Sequence, residues 1–394
     1  MTADELTADN LFADPYPVYA RLRREAPVSL FEPTGEYFIT RFADCQAVGA
    51  NAEVFGPSAS EHRPEARVMG MPNVLSMSGD EHKCLRQGID ANVQPACVDG
   101  YIEDLARPIV RAQLDSIAKQ GEADLTTDLF EPISVRVVAS VVGLEHISNK
   151  SLQHWFHAMN GGLQNVANDP AVWAICDQAL AAIDAEVAPI VERVTARPDG
   201  SMISQLVHGG MPEGKTRSLA AIMPTLRVIL LGGLQEPGHG AANAVYGLLS
   251  NPAQSAAVAQ DPAGLALRAF DEGLRWIAPI GVTPRVAARD FELAGVTIPA
   301  GASVAIVLAS ANRDETRYDD PEAFRFDRQR KPHASFGYRP HFCSGHYLSR
   351  AAGRIAIEEA YRQLANLRLD PEREARIKGW RFRGVVNLPA RWDV

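Results

Sequence analysis

One cysteine sits where its neighbours would make it a ligand. Phe336-Gly337-Tyr338-Arg339-Pro340-His341-Phe342-Cys343-Ser344-Gly345 is a run of turn formers and aromatics, and an apolar helical pattern (Tyr347, Leu348, Ala351, Ala352, Ile355, Ala356) begins directly behind it. The spacing predicts that backbone geometry holds Cys343 near a helix N-terminus, where the helix dipole and unpaired N–H groups favour a thiolate. A thiolate so presented ligates soft or borderline metals, haem iron among them. For a lone cysteine the bland alternative is a buried structural thiol.

A second stretch, Val228-Ile229-Leu230-Leu231-Gly232-Gly233-Leu234-Gln235-Glu236-Pro237-Gly238-His239-Gly240, lies in the longest helical pattern, residues 218–250. Pro237 lacks an N–H and clashes with the carbonyl four residues back, at Gly233. The glycines leave room for a kink. A proline in a helix interior costs about 3 kcal/mol, a strain more often kept at a site than spent on packing. Positions 228, 231, 232, 235 and 236 form one helical stripe, apolar at its start and ending in an amide and a carboxyl. Such an end is either a surface turn or an acid–base site.

Stepping outward from these residues, Asp80-Glu81-His82-Lys83-Cys84-Leu85-Arg86 begins a helix on which His82 and Arg86 share a face. Glu272 and Arg275 are three apart on another. Asp14-Pro15-Tyr16-Pro17 precedes a short amphipathic helix, Val18 to Glu25; Val28–Phe31 and Tyr37–Thr40, joined by turn residues, read as a hairpin. Residues 57–77, rich in Pro, Gly, Ser and Met, read as a loop. Helical patterns cover Ile102–Ala118, Leu129–Val142, Ser151–Val166 and Val172–Val194. Phe291–Gly301 reads as strand, turn, strand, and Val304–Leu308 as a buried strand. Residues 313–335 are a polar meander, and Phe382 falls in a C-terminal β segment.

The chain has 394 residues, 46% hydrophobic, enough for a large core. No run of about 18 or more apolar residues appears, so no membrane span is expected. Met1-Thr2-Ala3-Asp4-Glu5 is acidic and lacks the apolar region of a signal peptide. Five scattered cysteines without C-x-x-C spacing argue against zinc and a disulfide framework, and fit a reducing cytoplasm. A net charge of −9 argues against nucleic acid as partner.

At the cysteine stretch the sequence resembles the cytochrome P450 family, whose haem loop reads F-G-x-G-x-H/R-x-C-x-G. Phe336, Gly337, His341, Cys343 and Gly345 match; Arg339 replaces the second glycine and Ser349 a usual alanine. Glu272-Gly273-Leu274-Arg275 matches the family's E-x-x-R pair, completed by Arg328. The resemblance implies a mainly α cytochrome P450 fold with a small β region, a single haem domain over 1–394 with a flexible N-terminus of about 1–13, and cytoplasmic location. It implies haem b with Cys343 as axial ligand. His82, Arg86, Arg285 and His341 match the haem-propionate contacts, while Phe336 and Gly232 border the haem.

The central helix departs from the family text A/G-G-x-D/E-T: Gln235 replaces the acid and Glu236 the alcohol. A carboxylate over the iron can instead act as general acid–base toward hydrogen peroxide, as in haem peroxygenases with a distal glutamate. The text Gly232–Gly240 is similar to the bacterial branch that O-demethylates lignin-derived methoxyphenols, the guaiacol and syringol demethylases. Carried over by position, the substrate pocket comprises Met69, Leu75, Leu163, Val228, Leu231, Gly232, Val282, Thr283 and Phe382. Guaiacol-type members have phenylalanines at the positions of Met69 and Leu163; losing two rings favours a two-methoxy arene such as syringol. Core packing is the plain alternative for Leu163 and Phe382, surface-loop packing for Met69 and Leu75. One rival is a monooxygenase using dioxygen and a reductase or ferredoxin partner; another is a non-catalytic haem sensor.

Overall fold

The longest apolar stretch of the chain builds the central element of the computed structural model, which describes residues 6–57, 64–165 and 167–394. The helices that build the site are α1 (Pro64–Met69), α2 (Gly79–Val93), α3 (Glu131–Val142), α4 (Asn149–Leu163), α5 (Pro170–Ala196), α6 (Leu219–Leu234), α7 (Glu236–Leu249), α8 (Pro262–Trp276) and α9 (His346–Gln363). The expected single helix over 218–250 is therefore two, α6 and α7, parted at Gln235. The proline that breaks it sits in the first turn of α7, where a missing N–H costs nothing.

Counted across the break, Leu219–Leu249 is long and apolar enough to cross a membrane by length and composition only. Its apolar residues have another use: Ile222, Leu226, Leu230, Leu234, Val245 and Leu248 are wholly buried in the main core. At the contact with α8, a side chain on Gly273 would come within 2.7 Å of Ala244 backbone atoms, so only glycine allows this close approach.

The largest sheet of the β region has five strands, β1 (Val28–Phe31), β2 (Glu36–Ile39), β3 (Phe55–Gly56), β4 (Thr283–Ala287) and β5 (Ser303–Ile306), in the order β1-β2-β5-β4-β3. β2 and β5 run parallel, and the other pairs are antiparallel. The hairpin and the Phe291–Ile298 strand pair form where the turn residues placed them. The tract beginning at Val304 is a strand only to Ile306, with a short helix over Leu308–Ala311.

Two loop assignments fail. Within residues 57–77, Pro64–Met69 is helical because Val68 and Met69 find the core; residues 58–63 lie outside those described. Within 1–13, Ala8–Ala13 is a helix capped by Thr7, with Leu11 fully buried; residues 1–5 lie outside those described. The expected helix end at Val166 also falls on an undescribed residue, and α4 ends at Leu163.

Candidate active site

The cysteine loop is closed by backbone bonds. Gly337, at φ +71°, donates to Ala334 O at 2.7 Å, and Cys343 N donates to Phe336 O at 2.9 Å. Arg339 is exposed and takes no left-handed backbone, so the turn does not need the family's second glycine there. Arg350 lies 4.4 Å over the Phe336 ring, and Arg86 Nη1 donates to Phe342 O at 2.8 Å, tying α9 and α2 to the loop.

Cys343 has accessible surface although protein surrounds it deeply, which describes a thiol facing internal space. Burial pushes this thiol up, against the opposing pull of the Gly345 N–H, Arg86 and Arg350. The thiolate expected from the helix N-terminus is thus not secured by the protein alone. Helix α9 starts only at His346, and desolvation outweighs the dipole. Binding a metal cation removes the proton from such a ligand.

Three cationic or imidazole groups on this side lack an ion-pair partner among the described residues. Arg285, on β4 and paired in register with Val304, is buried; its one side-chain bond among the described residues goes to the Pro284 carbonyl, at 2.7 Å. No carboxylate compensates it, and burial lowers its pKa. His82 Nε2 and His341 Nδ1 are buried without partners, their rings 4.5 Å apart. Burial holds His341 down at about 4, with Arg285, His82 and Arg86 adding repulsion. Unpaired buried donors around one region demand an anionic acceptor. Arg86 differs: besides Phe342 O it is bound to Asp90 at 3.2 Å, so it also serves the loop.

In the last turn of α6 Gly232 is exposed, and a Cβ there would meet nothing within 4 Å, so the helix borders open space. The carbonyl freed at Gly233 accepts from Ser134 Oγ on α3 at 3.3 Å, a partner no local pattern announces. Gln235 is buried, and its side chain makes no cap bond to α7. Glu236 opens α7 without an ion-pair partner among the described residues, and burial raises its pKa to about 8. That value lies close to the one that suits an acid–base group working near neutral pH.

A planar metal macrocycle with two carboxylates fits these residues: an accessible sulfur, a guanidinium without an ion-pair partner among the described residues and two orphan imidazole nitrogens for the acids, and a glycine bordered by open space. The predicted pocket residues fall in two regions of the molecule. Met69 and Leu231 belong to the main core, with Leu163 and Val228 packed against it. Val282 belongs to a second cluster, Thr283 starts β4, and Phe382 bridges to Ile280. Leu75 belongs to neither cluster and is 48% exposed.

The E-x-x-R cluster is buried, overturning the alternative of an exposed helix pair. Arg275 binds both oxygens of Glu272 at 2.8 and 2.7 Å, and Arg328 reaches the same carboxylate at 3.0 Å. Arg275 also donates to the carbonyls of Asn312, Pro321 and Ala323, fastening the meander to α8.

Comparison with known proteins bears on the same residues. The cytochrome P450 family model matches residues 266–370, which include the E-x-x-R pair and the cysteine loop. The cytochrome P450 monooxygenase PikC of Streptomyces venezuelae is 28% identical over 394 residues, 96% of this chain and 91% of its own. A steroid C26-monooxygenase of Mycolicibacterium smegmatis is 28% identical over 319 residues, 81% of this chain and 78% of its own. The ligand-free structure of cytochrome P450 TbtJ1 superposes with a TM-score of 0.85 at 26% identity, covering 96% of this chain and 97% of that one.

Proposed function

On the premise that the chain belongs to the cytochrome P450 family and is a haem-thiolate monooxygenase, we propose that it O-demethylates lignin-derived methoxyphenols of the syringol or guaiacol type. We propose further that it accepts hydrogen peroxide through Glu236. Haem b bound through Cys343 supplies the oxidising chemistry, its thiolate favouring O–O cleavage. His82, Arg285 and His341 hold the two propionates by charge and hydrogen bonds, with Arg86 bracing the loop.

The observation that carries the reading is Glu236, a half-buried carboxyl beside a helix break, its pKa raised by desolvation to about 8. Its base form takes a proton from one peroxide oxygen, and its acid form returns it to the departing one. Gln235, buried beside it, orients the carboxyl. Met69, Leu163, Val228 and Leu231 form one side of the arene pocket, and Val282, Thr283 and Phe382 the other. They hold the methoxy carbon in place and exclude water. The balance is one methoxyarene and one hydrogen peroxide to one phenol, one formaldehyde and one water, through a hemiacetal that collapses.

The test is direct. The haem-loaded protein is titrated with syringol and guaiacol for a Soret shift, then assayed for formaldehyde with peroxide alone. No shift with either phenol would remove the substrate assignment. A second reading, turnover with dioxygen and a reductase on the same arene, is favoured by the monooxygenase activity in the relatives' names. It predicts gain from Glu236→Thr, where the peroxide reading predicts loss.

A further inference from the structure

Behind Glu236 lies a row of titratable side chains that the reaction above does not use. His239 follows Glu236 by three positions on α7, so the two share a helix face. Its N–H donates to Gln235 O at 2.9 Å. Its imidazole packs on Gly384, where a Cβ would stand 2.9 Å from Nδ1. Burial first, and the charge of His157 second, hold its pKa down at about 4.

The residue between them brings α7 against the start of α3. A side chain on Gly238 would come within 2.8 Å of the Phe130 carbonyl oxygen, so the backbones touch there. The next residue, Glu131, opens α3 with its carboxyl 3% exposed, and its Oε1 lies 2.7 Å from Nε2 of His157, which is 56% exposed on α4. That pairing raises the His157 pKa, and His157 Nε2 is the one partner of Oε1 among the described residues. That leaves the oxygen a lone pair for a second partner. A buried carboxylate is costly to keep, and this one joins a solvent-exposed imidazole to the flank of the broken helix.

We propose that His157, Glu131 and His239 carry protons from solvent to Glu236, with water joining Glu131 to His239. The inference rests on the reading of Glu236 as the proton-handling group. The imidazolium of His157 passes its Nε2 proton to Glu131 and is reprotonated from solvent. Glu131 hands one on through water to His239, and His239 to the Glu236 carboxylate. Each carrier returns to its starting charge; one proton has moved inward and no electrons have.

The experiment follows the proton itself. In the haem-loaded protein, the infrared C=O band of protonated Glu236 is assigned by its loss in Glu236→Gln, and its deuterium shift is timed after mixing into D2O. Glu131→Gln and His239→Phe should each slow that shift by about tenfold or more, the low end of what positioned proton-transfer groups contribute. His157→Gln, at the exposed end, tests the same route without disturbing the core. The control His146→Gln, which removes an exposed imidazole 3.5 Å from Glu186, should leave the rate unchanged. Wild-type exchange rates in all three relay variants would overturn the relay alone. Absence of the Glu236 band at pH 7 would overturn the Glu236 reading and the relay with it.

Discussion

At the cysteine loop, hydrogen bonds close the backbone: Gly337 donates to Ala334, Cys343 to Phe336, and Arg86 to the Phe342 carbonyl. Across the site, at the break between α6 and α7, the carboxyl of Glu236 has no ion-pair partner among the described residues, and only Ser134 answers the freed Gly233 carbonyl. Both sides bury a titratable group and raise its pKa by desolvation. The consequences differ. A thiol set in a rigid loop waits for a cation to take its proton, whereas a carboxyl at a helix start is free to gain and lose one near neutral pH. The rigid side holds, and the looser side transfers.

That contrast can be broken experimentally, and the largest effect belongs to the rigid side. Cys343→Ser should abolish the thiolate-type haem spectrum altogether; a retained spectrum would mean that another residue is the ligand. Glu236→Gln should come next, lowering peroxide-driven formaldehyde release by about 100-fold or more while haem binding persists. Equal loss of haem and turnover would mean that the two sides are not separable. Glu272→Gln breaks a buried pair and should cost about 3–5 kcal/mol of stability, read by denaturant unfolding. It should release haem without changing the pH profile.

The pH dependence gives a smaller, sharper test. Glu236 is protonated more readily folded than unfolded, so its contribution to stability is present below the ordinary carboxylate range and is lost as pH rises through about 8. Glu236→Gln should flatten that loss. In the wild type, peroxide turnover should climb as pH approaches about 8 and the base form appears. Smallest is Met69→Phe, which should shift the binding preference from syringol toward guaiacol by about tenfold, measured by Soret titration.

Much of the rigid side was legible because its signals are local. Gly337 takes the positive φ that only its lack of a Cβ makes easy, and Glu272 meets Arg275 through three-residue helical spacing. The kink was legible too, since Pro237 states its own steric conflict, although the outcome was two helices rather than one bent one. The pocket was less so. Leu75 and Met69 stand in the same Pro- and Met-rich run, yet Met69 closes a helix into the core and Leu75 is 48% exposed.

By itself, then, the chain's order of residues determined the turn that holds the sulfur, the helix break and the identity of the acid beside it. All of these follow from sterics within a few positions. Only the tertiary structure decided that Ser134 would answer the Gly233 carbonyl, that Arg86 would brace Phe342, and that burial would lift both Cys343 and Glu236. Desolvation and long-range pairing depend on what the rest of the chain packs around a group. No spacing along the sequence carries that information.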